Sequence, residues 1–139
     1  MSEIPSELVL EYKKIVFRVL EPQACTLWVG RHSAELQSLF VELGVTYAGY
    51  LTACNPFSGE ASGVDNEHAQ RQLLGQLSLE GVPALNALGI DPSGDWPGEE
   101  SVFVPGLSLD QAKSLGSEFS QNAIVWAGPD AVPQLVLLR

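Results

Sequence analysis

The sequence predicts a single α+β domain in the order ββαβαβαββ, with three helices on a mostly antiparallel sheet. Three observations carry that reading. Segments that alternate apolar and polar residues stand near both ends of the chain. Three segments with helical spacing lie between and beside them. Residues 45–53 are apolar or small on both faces, the pattern of a strand covered on both sides and therefore central in its sheet.

Each element follows from its own residues. Across residues 12–20, Ile15, Phe17 and Val19 fall on one face while Lys14 and Arg18 fall on the other, which makes a half-buried strand. A turn over residues 21–24 returns the chain to Cys25, Leu27 and Val29, so the two strands form a hairpin. Ser33 caps a helix whose inner positions are Leu36, Leu39, Phe40 and Leu43, and Gly44 stands at its left-handed end. A second helix runs over residues 65–80 with Ala69, Leu73 and Leu77 inward, started by Ser62 or Asp65 and closed by Gly81. Residues 82–98 are dense in turn formers and are expected to be irregular. A short strand over residues 101–104 stops at Pro105. Ser108 and Gln111 make a capping box for the third helix, whose stripe is Leu109, Ala112, Leu115, Gly116 and Phe119. Residues 122–126 and 134–138 close the chain as a hairpin. Residues 1–11 form an arm, either flexible or helical.

Totals narrow the function classes. A chain of 139 residues can bury a sizeable core, and 45% hydrophobic with 17% charged residues is an ordinary globular balance. The net charge of −10, from 17 acids against 7 bases, repels phosphate backbones and argues against nucleic-acid binding. It suits solubility or a basic protein partner. No apolar run approaches the roughly 20 residues that span a bilayer, and the acidic opening is unlike a signal peptide. Two cysteines make neither a disulfide framework nor a zinc site. A reduced, cytoplasmic protein away from membranes is expected, with no cofactor motif to name.

The stretch YLTACNPFSGEASGVDNEHAQR, residues 50–71, holds the first candidate site. Thr52 and Asn55 stand where a buried strand leaves the sheet, and Asn66 lies at the following helix start, where free N–H groups and the helix dipole favour an anion. Arg71, the only Lys or Arg between residues 32 and 112, sits in the second turn. One arginine there can hold a phosphate or carboxylate. The same residues also make a plain Asx turn and helix cap. A second patch enters a strand through Glu99, Glu100 and Ser101; residues 60–100 carry eight acids and one base. Glu99 is the one candidate general base, while Asp91 and Asp95 lack the spacing and closing Glu of a calcium loop, so no metal site is assigned. Gln121 and Asn122, adjacent amides before a buried strand, either orient a ligand or satisfy backbone groups at the helix end. Cys54 with His68 lacks a third residue to orient a nucleophile pair, so a buried structural thiol is expected.

Together Leu51-Thr-Ala-Cys-Asn-Pro56, Asn66 with Arg71, Trp96-x-x-Glu99-x-Ser101 and Phe119-x-Gln121-Asn-Ala-Ile124 resemble an uncharacterised bacterial family of unknown function. That resemblance implies no activity, but it implies that the separate patches are one unit. Two functional expectations follow. In one, Thr52, Asn55, Asn66, Arg71, Ser101, Gln121 and Asn122 bind a small anionic ligand, with Glu99 as catalytic base. In the other, the acidic face over residues 60–100 docks a basic partner without catalysis.

Overall fold

The computed structural model describes residues 4–21, 24–54, 62–92 and 99–138. Along them run α1 (Ser6–Lys14), β1 (Val16–Val19), β2 (Cys25–Trp28), α2 (Ala34–Leu43), β3 (Ala48–Leu51), α3 (Gly63–Leu79), β4 (Leu85–Ile90), β5 (Glu99–Pro105), α4 (Leu109–Glu118), β6 (Ala123–Ala127) and β7 (Gln134–Leu137). The seven strands form one sheet in the order β2-β1-β4-β5-β3-β6-β7. Every neighbouring pair is antiparallel. The α+β class therefore holds, but the order is αββαβαββαββ, with four helices among the described residues rather than three.

Three expected boundaries move, each for a visible reason. Residues 85–90 are not irregular: β4 fills the gap between β1 and β5, pairing Ile90 with Val16 and Leu85 with Phe103. Its Asn86 and Gly89 weaken strand propensity, but ladder bonds on both sides override it. The first strand starts at Val16 rather than Tyr12, because residues 12–14 are the last turn of α1. The Pro5 carbonyl accepts the first N–H groups of that helix, from Leu8 and Val9. Glu7 in its first turn and Lys13 and Lys14 in its last match the helix dipole. No residue of α1 is buried, so no apolar stripe announces it. Finally, β5 reaches Pro105, which needs no ladder N–H as the strand's last residue.

The other signals are realised as read. Ser33 and Ser62 cap α2 and α3 through their hydroxyls, and Ser108 and Gln111 form the reciprocal capping box of α4. Gly44 takes the left-handed conformation at φ 70°. Strand β3 is buried along its whole length, between β5 and β6.

The sheet is covered on both faces. On one, α2 places Leu36, Leu39 and Phe40 against Val19, Leu27, Tyr50, Phe103 and Val125. On the other, Leu73 and Leu77 of α3 and Ala112 and Leu115 of α4 cover Leu51, Val102, Val104 and Ile124. The sheet also curls: beyond its two edge strands, the Gly30 N–H donates to Pro133 O at 2.8 Å and the Ser33 N–H to Ala131 O at 3.0 Å. The edges are thus stitched at one end, and the ten-residue α2 packs in one cluster with residues from both sides of the sheet.

Helix α4 packs tightly against the sheet side at Gly116. A Cβ there would lie 2.6 Å from both Ile124 Cγ2 and Leu138 Cδ1. Gly116→Ala is expected to destabilise the protein by about 1–3 kcal/mol through overpacking, despite the better helix propensity of Ala. Urea unfolding checks this, and an unchanged or raised midpoint would contradict the close packing.

Candidate functional site

A strand buried on both faces must dispose of its backbone polar groups when it leaves the sheet. Ladder pairing of β3 ends at Leu51 opposite Val102 on one side and at Tyr50 opposite Val125 on the other. Side chains then take over. The Ala53 N–H donates to Gln70 Oε1 at 3.0 Å, and Gln121 Nε2 donates to the Cys54 carbonyl at 3.0 Å. Thr52 Oγ1 accepts the Cys54 N–H at 3.0 Å and donates to Glu100 O at 2.8 Å. Two glutamines from different helix regions thus clamp consecutive residues, one from each chemical sense.

Each glutamine is placed by its local backbone. Gln70 faces inward because it lies three and seven residues before Leu73 and Leu77, on the buried stripe of α3. Gln121 follows Ser120, a non-glycine residue at φ 57°. That left-handed step ends α4 with the Gln121 N–H bonded back to Gly116 O at 2.9 Å. Gln70 is 2% exposed and Gln121 8%, so both amides work in a dry setting where hydrogen bonds are decisive.

The structure distributes the sequence-derived residues unevenly. Thr52 and Gln121 join the clamp. Ser101 is buried and donates through Oγ to Glu99 O at 3.1 Å. Asn122 is buried and donates through Nδ2 to the Tyr12 hydroxyl at 2.9 Å, tying α1 to the start of β6. Asn66 lies half-buried in the first turns of α3, its N–H bonded to Ser62 O at 2.9 Å. Arg71 points outward, 75% exposed, and pairs with Glu67 one turn earlier rather than with Glu99. Glu99 is half-buried at the start of β5, opposite Gly89. Asn55, like Asp95 and Trp96, lies outside the described residues.

Two buried residues that the sequence did not single out flank the end of β3, one on each face of the sheet. Tyr50 is buried, its ring edge-on to Phe17 at 4.9 Å between centroids. Its hydroxyl lies over Gly89, where a Cβ would come within 3.9 Å of it. Burial pushes that phenol well above its usual range; the Ser101 hydroxyl opposes the rise, Glu99 adds to it, and the nearby Arg18 backbone opposes it. Despite that proximity, the Tyr50 hydroxyl makes no hydrogen bond among the described residues. Neither does Gln70 Nε2. The amide orientation of Gln70 is not arbitrary: a backbone N–H can only donate, so the atom facing Ala53 must be the oxygen. The nitrogen is thus a buried donor with no acceptor among the described residues. Its spacing from Leu73 and Leu77 was the available sequence signal.

Burial disfavours the thiolate form of both cysteines. Burial raises Cys54, with Glu99 and Glu100 adding to the rise and Thr52 opposing it. Burial likewise pushes Cys25 up to about 11, helped by Glu35 and opposed by Ser33. Among the described residues no group of His, Cys, Asp and Glu could hold a metal ion. No helix among them is long and apolar enough to cross a membrane. Two surface depressions lie elsewhere: one of about 370 Å³ between α3 and α4, walled by Glu80, Asp110 and Glu118, and one of about 220 Å³ beside Cys25.

These features define a curled, wholly antiparallel α+β protein with a polar corner where β3 and β5 meet the ends of α3 and α4. Residues 51–124 match the family described as protein of unknown function (DUF3293), and the chain belongs to that family. The matched stretch runs from the exit of β3 through Ile124 and so contains all eight sequence-derived site residues. No curated protein matches the chain, and no solved structure does.

Tyr50→Phe removes a buried hydroxyl that has no hydrogen-bond partner among the described residues, so stability is expected to stay level or rise by up to about 1–2 kcal/mol. Gln121→Met, which strands the Cys54 carbonyl, should instead lower it by about 1–3 kcal/mol. Chemical denaturation of both variants decides; a Tyr50→Phe loss as large as that of Gln121→Met would show the hydroxyl to be bonded. The raised thiol of Cys25 also sets a pH window. Its folded form holds the proton from the free-thiol value of 9.0 up to about 11, so stability is full below 9 and falls as pH rises through that range. Cys25→Ala should flatten that part of the profile, and an unaltered slope would refute the assignment.

Proposed function

We propose that this chain binds a small polar ligand where β3 leaves the sheet, beside Thr52, Gln70 and Gln121, with Glu99 at the start of β5 as the candidate base. One observation carries the reading. Two fully buried polar atoms, the Tyr50 hydroxyl and Gln70 Nε2, have no partner among the described residues. Such groups are rare in folded proteins, each destabilising by about 1–3 kcal/mol, and they concentrate where a function requires them. Of the two, Gln70 Nε2 belongs to the exit of β3, where its amide oxygen holds Ala53, while the Tyr50 ring packs on the opposite face of the sheet, in the cluster under α2.

The anionic ligand expected from Arg71 and the start of α3 is a variant of this reading. The Arg71–Glu67 pair is exposed and thus weak, so an anion could displace it. A second reading, docking of a basic partner, is favoured by the acidic walls of the groove between α3 and α4.

A thermal-shift panel of nucleotides, sugar phosphates, amino acids, amides and polyols tests the proposal on wild type, Gln70→Met and Arg71→Ala. A ligand at about 100 times its Kd adds roughly 2.7 kcal/mol, several degrees for a domain of this size. The expected result is a shift in wild type that Gln70→Met abolishes. A shift lost only in Arg71→Ala would move the site to the outer face of α3. No shift with any compound would sink the ligand reading and leave the basic partner.

A further inference from the structure

We infer that α1 is a strap: it lies across the end of the curled sheet where β3 leaves, and it opens as a unit while the sheet stays folded. The register places it there. Val16 pairs with Ile90 and Gly89 with Glu99, so β1 starts, β4 ends and β5 starts at one end of the sheet. Leu51 pairs with Val102 and Tyr50 with Val125, so β3 ends and β6 starts there as well. Helix α1 enters β1 through Ile15, yet its Tyr12 hydroxyl accepts from Asn122 Nδ2, just before β6, at 2.9 Å. In the sheet order β1-β4-β5-β3-β6, the ends of β4, β5 and β3 lie between those two attachments. Ile15 also reaches the face under α2. From the point that a Gly89 Cβ would occupy, Ile15 Cγ2 is 3.8 Å away and the buried Tyr50 hydroxyl 3.9 Å.

This strap is built to yield before the sheet does. Its nine residues are too few to hold a helix unaided in water. None of them is buried, its N-cap Pro5 makes no side-chain cap bond, and its Lys14–Glu11 pair is exposed. It is held by Ile4, buried just before it, by half-buried Leu8, Val9 and Tyr12, and by the bond to Asn122. The strands beneath it are held far more firmly: β3 is buried throughout, and β5 is paired on both edges. An element with so little buried apolar surface opens at a lower free energy than the whole fold. Asn122 follows Gln121, which holds the Cys54 carbonyl, and Cys54 Sγ lies 3.6 Å from Glu100 O of β5. Release of α1 therefore opens a way to the Cys54 thiol.

The test uses no ligand, so the strap and the binding reading stand or fall separately. Native-state hydrogen exchange is measured for the amides of residues 10–15, with those of Phe103 and Val104 in β5 as the reference. Labelling by N-ethylmaleimide is followed at Cys54 by mass mapping, with Cys25, buried under α2, as the control. In wild type, protection of the α1 amides should be at least about 10-fold below that of the reference. Tyr12→Phe should lower it by about another 10-fold and speed Cys54 labelling to match, leaving the reference amides and Cys25 unchanged. Equal protection of α1 and β5 in wild type would mean that the helix opens only with the whole fold, which overturns the strap. So would Cys54 labelling that stays level while α1 loosens, because the helix would then cover nothing at that corner.

Discussion

The two-sided burial of β3 is the constraint on which the rest of the structure depends. Four residues, Ala48–Leu51, are buried on both faces, and the first three are paired on both edges. Such a strand cannot simply run out into solvent, because its next backbone groups are still inside. The protein answers with amides from the flanking helices: Gln70 for the Ala53 N–H and Gln121 for the Cys54 carbonyl. Much of the local design serves those two contacts. The left-handed Ser120 turns the chain so that Gln121 follows α4 inward, and the stripe of α3 gives one of its buried places to Gln70 instead of an apolar residue.

The clamp accounts for most of the polar residues, and that separates scaffold from site. Thr52, Ser101, Gln121 and Asn122 each donate to a named protein oxygen. They look like pocket residues in a sequence because buried networks and pockets draw on the same side chains. What a network does not explain is an atom left over. Tyr50 and Gln70 each supply one, on opposite faces of the sheet, where desolvation makes the omission expensive. A protein under selection for stability alone would put Phe at position 50.

Much of the fold was legible because its signals are local. Ser33, Gly44, Ser108 with Gln111, and the apolar residues of β3 act within a few positions of themselves. What escaped depends on partners distant in the chain. Strand β4 has weak propensity and exists because β1 and β5 bracket it. Helix α1 has caps and charges but no buried face, so Tyr12 joined the alternation of the strand after it. In the site, Thr52 and Gln121 were found from the strand exit and the helix end. Gln70 was missed because a glutamine in a helix reads as surface unless its register is counted against Leu73 and Leu77. Arg71 was singled out for its isolation in sequence, but its neighbour one turn away, Glu67, is the partner it takes.

Native-state hydrogen exchange at the Ala53 amide tests most directly whether Gln70 holds the exit of β3. In wild type that amide should be protected although it lies beyond the ladder. In Gln70→Met, which keeps a side chain of similar size but removes the acceptor, its exchange should accelerate at least about 10-fold beyond any global change, as expected for losing one buried hydrogen bond of about 1.4 kcal/mol. The Phe103 and Val104 amides of β5 supply the reference for that global change. Equal protection of Ala53 in both proteins would mean that something other than Gln70 holds the corner, and the account built on it would fall.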